Sequence, residues 1–250
     1  MIAGIILAGG KGSRMNSDTV NKVVLPFHGK PLIQYGVELL QHIAQPLIVV
    51  TGAFPESVHE ALKQFDVTYV HQEPQLGTGH AVKIAIEYLK GINSTELIIG
   101  YGDHMMFYTP QTIENLLKLH RDTGAVATPV TCVLDDPAQY GRILRDGDRI
   151  LGVVESKDAT EEQKKINEIN TGFYCFDYTF VRDHIDLIQP STVSQEYYLP
   201  ELIPMALAEN KRVSGLIVPY TEMGIGINKH EELTESQKLY ELIRKQKNEL

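Results

Sequence analysis

The run Leu7-Ala8-Gly9-Gly10-Lys11-Gly12-Ser13-Arg14-Met15 gathers three glycines and two cations directly behind a short apolar stretch. Glycine lets a backbone approach a ligand closely and turn its amide N–H groups outward, and lysine and arginine donate to phosphate oxygens. Such a loop reads as a phosphate cradle. Two rival glycine motifs are not spelled here. Met15 stands where a dinucleotide fingerprint needs its third glycine, and the Gly-Lys-Ser/Thr of a Walker loop is absent. The segment runs on to Lys22 without an evident element, and loops of that length in compact domains are commonly functional.

Asp103 follows Leu97-Ile98-Ile99 and the turn Tyr101-Gly102. It should therefore project from the carboxyl end of a strand, where open α/β sheets bind ligands. A carboxylate there suits Mg²⁺, which takes oxygen ligands from one or two protein groups and fills its shell with phosphate and water. Cys132, Cys175 and the nine histidines show no metal-ligand spacing and no nucleophile-base pattern, so neither a disulfide scaffold nor a zinc site is expected. His80 and His104 read as structural histidines.

Elements must hold these residues in place. Ile2, Ile5, Ile6 and Leu7 predict a strand buried on both faces and ending at Gly9-Gly10. A helix is expected over about 31–44, with Pro31 in its first turn. Strand, helix, strand, helix and strand follow at about 47–50, 55–65, 67–70, 81–89 and 96–101, an alternation that specifies βαβ units and a mainly parallel sheet flanked by helices. After residue 119 the pattern turns to strands at about 125–133, 141–144, 150–155 and 171–177. A helix near 199–208, a strand at 213–218 and a closing helix near 231–247 complete the chain. The expected fold is α/β and Rossmann-like, a mixed and mainly parallel sheet carrying an inserted, more antiparallel subdomain.

Composition narrows the function. With 250 residues and 43% hydrophobic content the chain can bury a large core, and its formal net charge of −9 opposes a general grip on nucleic acid. No basic leader precedes the N-terminal apolar run, which is too short for a membrane span. A reduced, cytoplasmic setting is expected.

Several ordered blocks share one resemblance. The loop 7–15, Lys22-Val23-Val24-Leu25-Pro26 and Gly29-Lys30-Pro31-Leu32 resemble the signature of sugar-1-phosphate nucleotidyltransferases. Gln72-Glu73-Pro74-Gln75-Leu76-Gly77-Thr78-Gly79-His80-Ala81 is very similar to the bacterial N-acetylglucosamine-1-phosphate uridylyltransferase family. So are Tyr101-Gly102-Asp103, Tyr140-Gly141-Arg142-Ile143, the stretches 154–159 and 167–172, and Glu196-Tyr197-Tyr198-Leu199. The likeness implies a magnesium-dependent enzyme that joins UTP to N-acetylglucosamine 1-phosphate, or a close hexosamine phosphate, and releases pyrophosphate on the way to polysaccharide precursors. It gives Leu7, Ala8, Gly9 and Gly10, with Gln72, Gly77 and Thr78, to the nucleotide, and Arg14 and Lys22 to its triphosphate. Gly141, Glu155, Asn170 and Tyr198 go to the sugar, and Asp103 and Asn228 to the metal.

On this resemblance residues 1–120 and about 200–230 form the nucleotide and metal core of a single domain, 1–250, and about 121–199 the sugar-binding part. Residues 231–250 add a C-terminal helix. The chain stops where bifunctional members of the family continue into a left-handed β-helix, so acetyl transfer is not expected, and the state is monomer or homodimer. Three positions depart from the pattern: Asn21 before Lys22, His104-Met105 after Asp103, and Pro200 after Leu199. Guanylyl, cytidylyl or thymidylyl transfer to another sugar 1-phosphate, and a non-catalytic sugar-nucleotide sensor, are the competing readings.

Overall fold

The strand expected at the N-terminus is β1 (Ile2–Ala8), and from Ala3 onward every residue of it is buried. The computed structural model describes residues 1–10, 19–227 and 230–248. A small ribbon, β2 (Pro26–Phe27) with β3 (Lys30–Pro31), leads into α1 (Leu32–Leu40). Then β4 (Leu47–Thr51), α2 (Pro55–Leu62), β5 (Thr68–His71), α3 (Thr78–Leu89) and β6 (Glu96–Tyr101) alternate as their apolar periods predict.

The second half holds α4 (Pro110–Thr123), β7 (Ala127–Val133), β8 (Gly141–Asp146), β9 (Arg149–Val154), α5 (Glu161–Lys164), β10 (Glu168–Asp177) and α6 (Tyr178–His184). It closes with α7 (Leu202–Ala208), β11 (Leu216–Ile217), α8 (Tyr220–Met223) and α9 (His230–Asn248). Several details differ from expectation. Pro31 stands just before α1 instead of inside it, and α3 begins three residues earlier than its apolar spacing implies. The strand expected over 213–218 shrinks to β11 plus a single bridge from Val213 to Ala127. The helices α4, α5, α6 and α8 have no counterpart in the expected order of elements.

The main sheet runs β11-β7-β10-β6-β1-β4-β5, and the β8–β9 hairpin pairs onto β10. β1 pairs in parallel with both β4 and β6, whereas β10 runs antiparallel between β6 and β7. The chain therefore winds outward from β1 through β4 to β5, then returns to β6 on the other side. That reversal opens a crevice at the carboxyl ends of β1 and β6.

Alternate residues of β1 feed two cores. Ile5 and Leu7 pack with Ala81, Val82, Ala85, Ile86 and Leu89 of α3, on the face shared with α6 and α7. Ile6 and Ala8 pack on the other face beneath α1, α2 and α4. Each fully buried Leu or Ile contributes about 1.5–3 kcal/mol, so a one-residue slip of β1 would exchange both sets and is strongly disfavoured. A third cluster of Phe27, Leu32, Met106, Phe107 and Ile227 receives Leu239, Tyr240 and Ile243 of α9.

Candidate active site

Both central strands end in the same place. β1 delivers Leu7, Ala8, Gly9 and Gly10, and β6 delivers Tyr101 and then Asp103, to one cleft of about 780 Å³. Lys22, Gln72, Gly77, Thr78, Gly141, Glu155, Asn170 and Tyr198 line the same cleft. Every nominated residue among those described thus faces a single space. Arg14 and Asn228, nominated for the triphosphate and the metal, lie outside the described residues.

Lys22 is held by its neighbours from both sides. Its ammonium pairs with the Asp103 carboxylate and donates to Ile227 O at 3.1 Å. Asn21, fully buried, is the anchor beside it. Its side-chain amide donates to Ala8 O and Ala53 O at 2.8 Å each, and its Oδ1 accepts from Val23 N at 3.1 Å. A proline could make none of the side-chain bonds. The departure at Asn21 therefore acquires a structural reason: it ties the short helical turn of Lys22 to the mouth of β1.

Gln72 is nearly buried and oriented by two acceptors. Its Nε2 donates to Gly77 O at 2.9 Å and to His80 Nδ1 at 3.2 Å. Burial, with the Lys83 ammonium second, holds the His80 imidazole below its ordinary pKa, so Nδ1 remains a neutral acceptor near pH 7. Both amide hydrogens are thereby used, and Oε1 is left on the side of Gly9, where a β-carbon on that glycine would come within 2.8 Å of it. Gly77 is required by the turn that opens α3. Its φ of 103° lies in the left-handed region, and an added β-carbon would meet Tyr197 O at 2.6 Å. The Thr78 hydroxyl accepts from Leu199 N at 3.0 Å, binding the start of α3 to the segment that carries Tyr198.

The opposite wall is built by β8, β9 and β10. Register places Asn170 opposite Gly141, and a β-carbon on Gly141 would approach Glu155 Oε1 to 3.3 Å. Asn170 Nδ2 donates to the Tyr174 hydroxyl at 2.6 Å, which fixes the amide plane. The Tyr198 hydroxyl is 2.6 Å from Ser194 Oγ. Burial, followed by the carboxylates of Asp158 and Glu196, pushes the Glu155 carboxyl up to about 7. Its position in the cleft and its raised pKa mark a group that gains by receiving a hydrogen-bond donor.

His80 and His104, expected to be structural histidines, both lie beside the site. His104 is buried below Asp103, and its Nδ1–H donates to Thr171 O at 3.1 Å. Its ring lies 5.7 Å from that of Tyr140, whose hydroxyl accepts from Gly226 N at 2.9 Å. Lys157 and Lys164 also face the cleft and were not singled out. Lys157 stands two positions after Glu155 in a block already quoted, and that adjacency was the available signal.

The cleft lies at the switch point of a mixed, mainly parallel sheet centred on β1, with Gly9-Gly10 and a lysine–aspartate pair on one side and a polar wall on the other. Residues 4–151 match the family model of the MobA-like NTP transferase domain, and the chain belongs to that family. It is 38% identical over 239 residues to the bifunctional protein GlmU of Syntrophotalea carbinolica, covering 95% of this chain and 51% of that protein. It is 40% identical over 227 residues to the bifunctional protein GlmU of Carboxydothermus hydrogenoformans, covering 90% and 50%. The chain thus spans about half the length of the curated relatives it matches. A crystal structure described as a Bacillus anthracis glucose-1-phosphate thymidylyltransferase in complex with sucrose superposes with a TM-score of 0.79. At 20% identity, over 96% of this chain and 95% of that one, it is a likeness of fold. These matches bear out the nucleotidyltransferase resemblance and the Rossmann-like fold. No helix among the described residues is long and apolar enough to cross a membrane.

Proposed function

We propose that this chain transfers a nucleotidyl group from a nucleoside triphosphate to a sugar 1-phosphate and releases pyrophosphate, with UTP and N-acetylglucosamine 1-phosphate the favoured pair. The observation that carries this reading is the two-walled cleft, which sets a phosphate-loop mouth and Lys22 on one side and the hydroxyl-accepting groups of Glu155 and Asn170 on the other. A sugar phosphate oxygen attacks the α-phosphorus, and the bond from that phosphorus to the bridging oxygen of pyrophosphate breaks. No protein nucleophile is needed, so catalysis rests on alignment and charge neutralisation.

Each wall has a task. Lys22 is held where it can meet phosphate oxygens, and a fixed cation aimed at developing charge is worth roughly a hundred- to a thousandfold in rate. Arg14 is its partner by resemblance. Gln72, with both amide hydrogens already donated, offers Oε1 to the base. An imide N–H, as in uracil, satisfies that acceptor, whereas cytosine presents a second acceptor there. Glu155 accepts sugar hydroxyls, Asn170 uses its remaining amide hydrogen, and Gly141 leaves room for the ring.

The Asp103 carboxylate already faces a positive charge, the Lys22 ammonium, so an oxygen donor at this point fits a hard divalent cation. Asp103 and, by resemblance, Asn228 would hold Mg²⁺, which when bound neutralises phosphate charge. The deciding experiment is pyrophosphate release from purified protein with four nucleoside triphosphates and a panel of sugar 1-phosphates, with and without chelator. Metal-dependent release that is greatest with UTP and a hexosamine phosphate is expected. Release with none of the pairs would refute transfer.

A further inference from the structure

At the far end of β6 from the cleft, three side chains of metal-ligating type converge from distant segments. Glu96 opens β6, His120 lies in the last turn of α4, and Cys175 sits on β10. One ligand atom from each, a carboxylate oxygen, an imidazole nitrogen and a thiol sulfur, all lie within 4.8 Å of one another. Register explains the meeting. Cys175 is opposite Ile98 on β6 and Thr128 on β7, so it shares a sheet face with Thr128 and, two residues before Ile98, with Glu96. That face is the one α4 covers, which brings His120 down upon it. Cys175 is fully buried and His120 is 4% exposed.

The hydrogen bonds leave ligand capacity in place. His120 Nδ1 is 2.9 Å from Thr128 Oγ1, and neither its Nε2 nor the Cys175 thiol makes a hydrogen bond among the described residues. Metal-binding histidines use their second ring nitrogen in this way to fix the ring. Glu96 is gripped by Arg121 through Nε at 2.7 Å and Nη2 at 2.6 Å, yet the Arg121 side chain is 55% exposed and can swing into water.

We propose that Glu96, His120 and Cys175 form a binding site for a borderline-soft divalent metal, zinc in particular, separate from the nucleotide cleft. A sulfur, nitrogen and oxygen set selects zinc over magnesium, and three protein ligands leave a fourth position for water. On binding, the thiol proton leaves to solvent and the thiolate and carboxylate balance the two positive charges of the ion. The site lies roughly 16 Å along β6 from the cleft, at about 3.3 Å per residue. It ties the end of α4 to β6 and β10.

The test uses the full chain, reduced and freed of metal, titrated first with Co²⁺ and then with Zn²⁺. One equivalent of cobalt should produce a thiolate-to-cobalt charge-transfer band that zinc removes. The described cleft lining contains no cysteine, so cobalt bound there cannot give this band. The band should persist in Cys132→Ser and vanish in Cys175→Ser, with zinc affinity falling on the order of 100-fold or more. No band in the wild type, or one that survives Cys175→Ser, overturns the site. If circular dichroism shows Cys175→Ser unfolded, the surface variant Arg121→Gln decides. Freed from its guanidinium, Glu96 should bind zinc several-fold more tightly, and unchanged or weaker binding overturns the proposal.

Discussion

Single side chains set the chemistry of the cleft through their neighbours. On the function proposed above, Gln72 would meet a base with its oxygen, because Gly77 O and His80 Nδ1 take its hydrogens. Gln72→Ala should therefore flatten the preference among the four nucleotides more than it slows the preferred one. His80→Phe, which removes the acceptor without touching the ligand, should flatten it in the same direction. Ratios of kcat/KM across the nucleotides check both, and an undisturbed preference in both variants would remove Gln72 from base reading. Glu155 carries a pH signature. Its carboxyl titrates near 7 in the fold against about 4.5 when free, so the folded state binds this proton more tightly. Its contribution to stability is full below about pH 4.5 and is lost as the pH rises through about 7. Glu155→Gln should abolish that loss, raising stability at pH 8 relative to wild type by on the order of 2 kcal/mol. Denaturant midpoints at pH 5 and pH 8 measure it. The same variant should flatten any rise in kcat/KM for the sugar phosphate between pH 6 and pH 8.

At the level of elements, caps and turns decide where the walls of the cleft stand. The helix α4 has both of its ends spelled in the sequence. Thr109 caps it with Thr112 in a reciprocal box, Pro110 occupies its first turn, and Gly124 closes it at φ 62°. The start of α3 depends on Gly77, on either side of which the backbone is bound to Tyr197: Tyr197 N donates to Leu76 O at 2.8 Å and Gly79 N donates to Tyr197 O at 2.7 Å. Gly77→Ala should cost about 2 kcal/mol or more, since it adds left-handed strain to a clash with rigid backbone. A lowered Tm with a raised KM for the nucleotide is the expected pair of readings. An unchanged Tm would show that this turn relaxes freely.

The whole molecule couples its C-terminal helix to the cleft. Tyr240 of α9 packs edge-on against Phe27 at 5.3 Å and Phe107 at 5.6 Å, in the cluster that also buries Ile227. The carbonyl of Ile227 is the one that receives Lys22. Tyr240→Ala should lower stability by about 2–3 kcal/mol. It should also raise KM for the nucleoside triphosphate, because the backbone that steadies Lys22 loses its support. Thermal unfolding and initial rates test the two effects separately, and a destabilised variant with an unaltered KM would uncouple α9 from the site.

The order of strands and helices, the loop at 7–10 and the prominence of Asp103 were legible in the chain, because apolar period and local turn chemistry act over a few residues, whereas Lys22 and Gln72 stood out through the resemblance alone. So was the set on the far wall, through blocks whose spelling resembles a known family. Other relations needed the folded chain. That Asn21 spends its amide on Ala8 and Ala53, that His80 turns Gln72, and that Glu155 holds a proton to about 7 depend on groups brought together by long-range packing. The meeting of Glu96, His120 and Cys175 is of the same kind, for no spacing along the chain foretells it. Local sequence specifies which elements form. Pairing register and burial, which act between segments far apart, decide which side chains share a space and what charge each carries there.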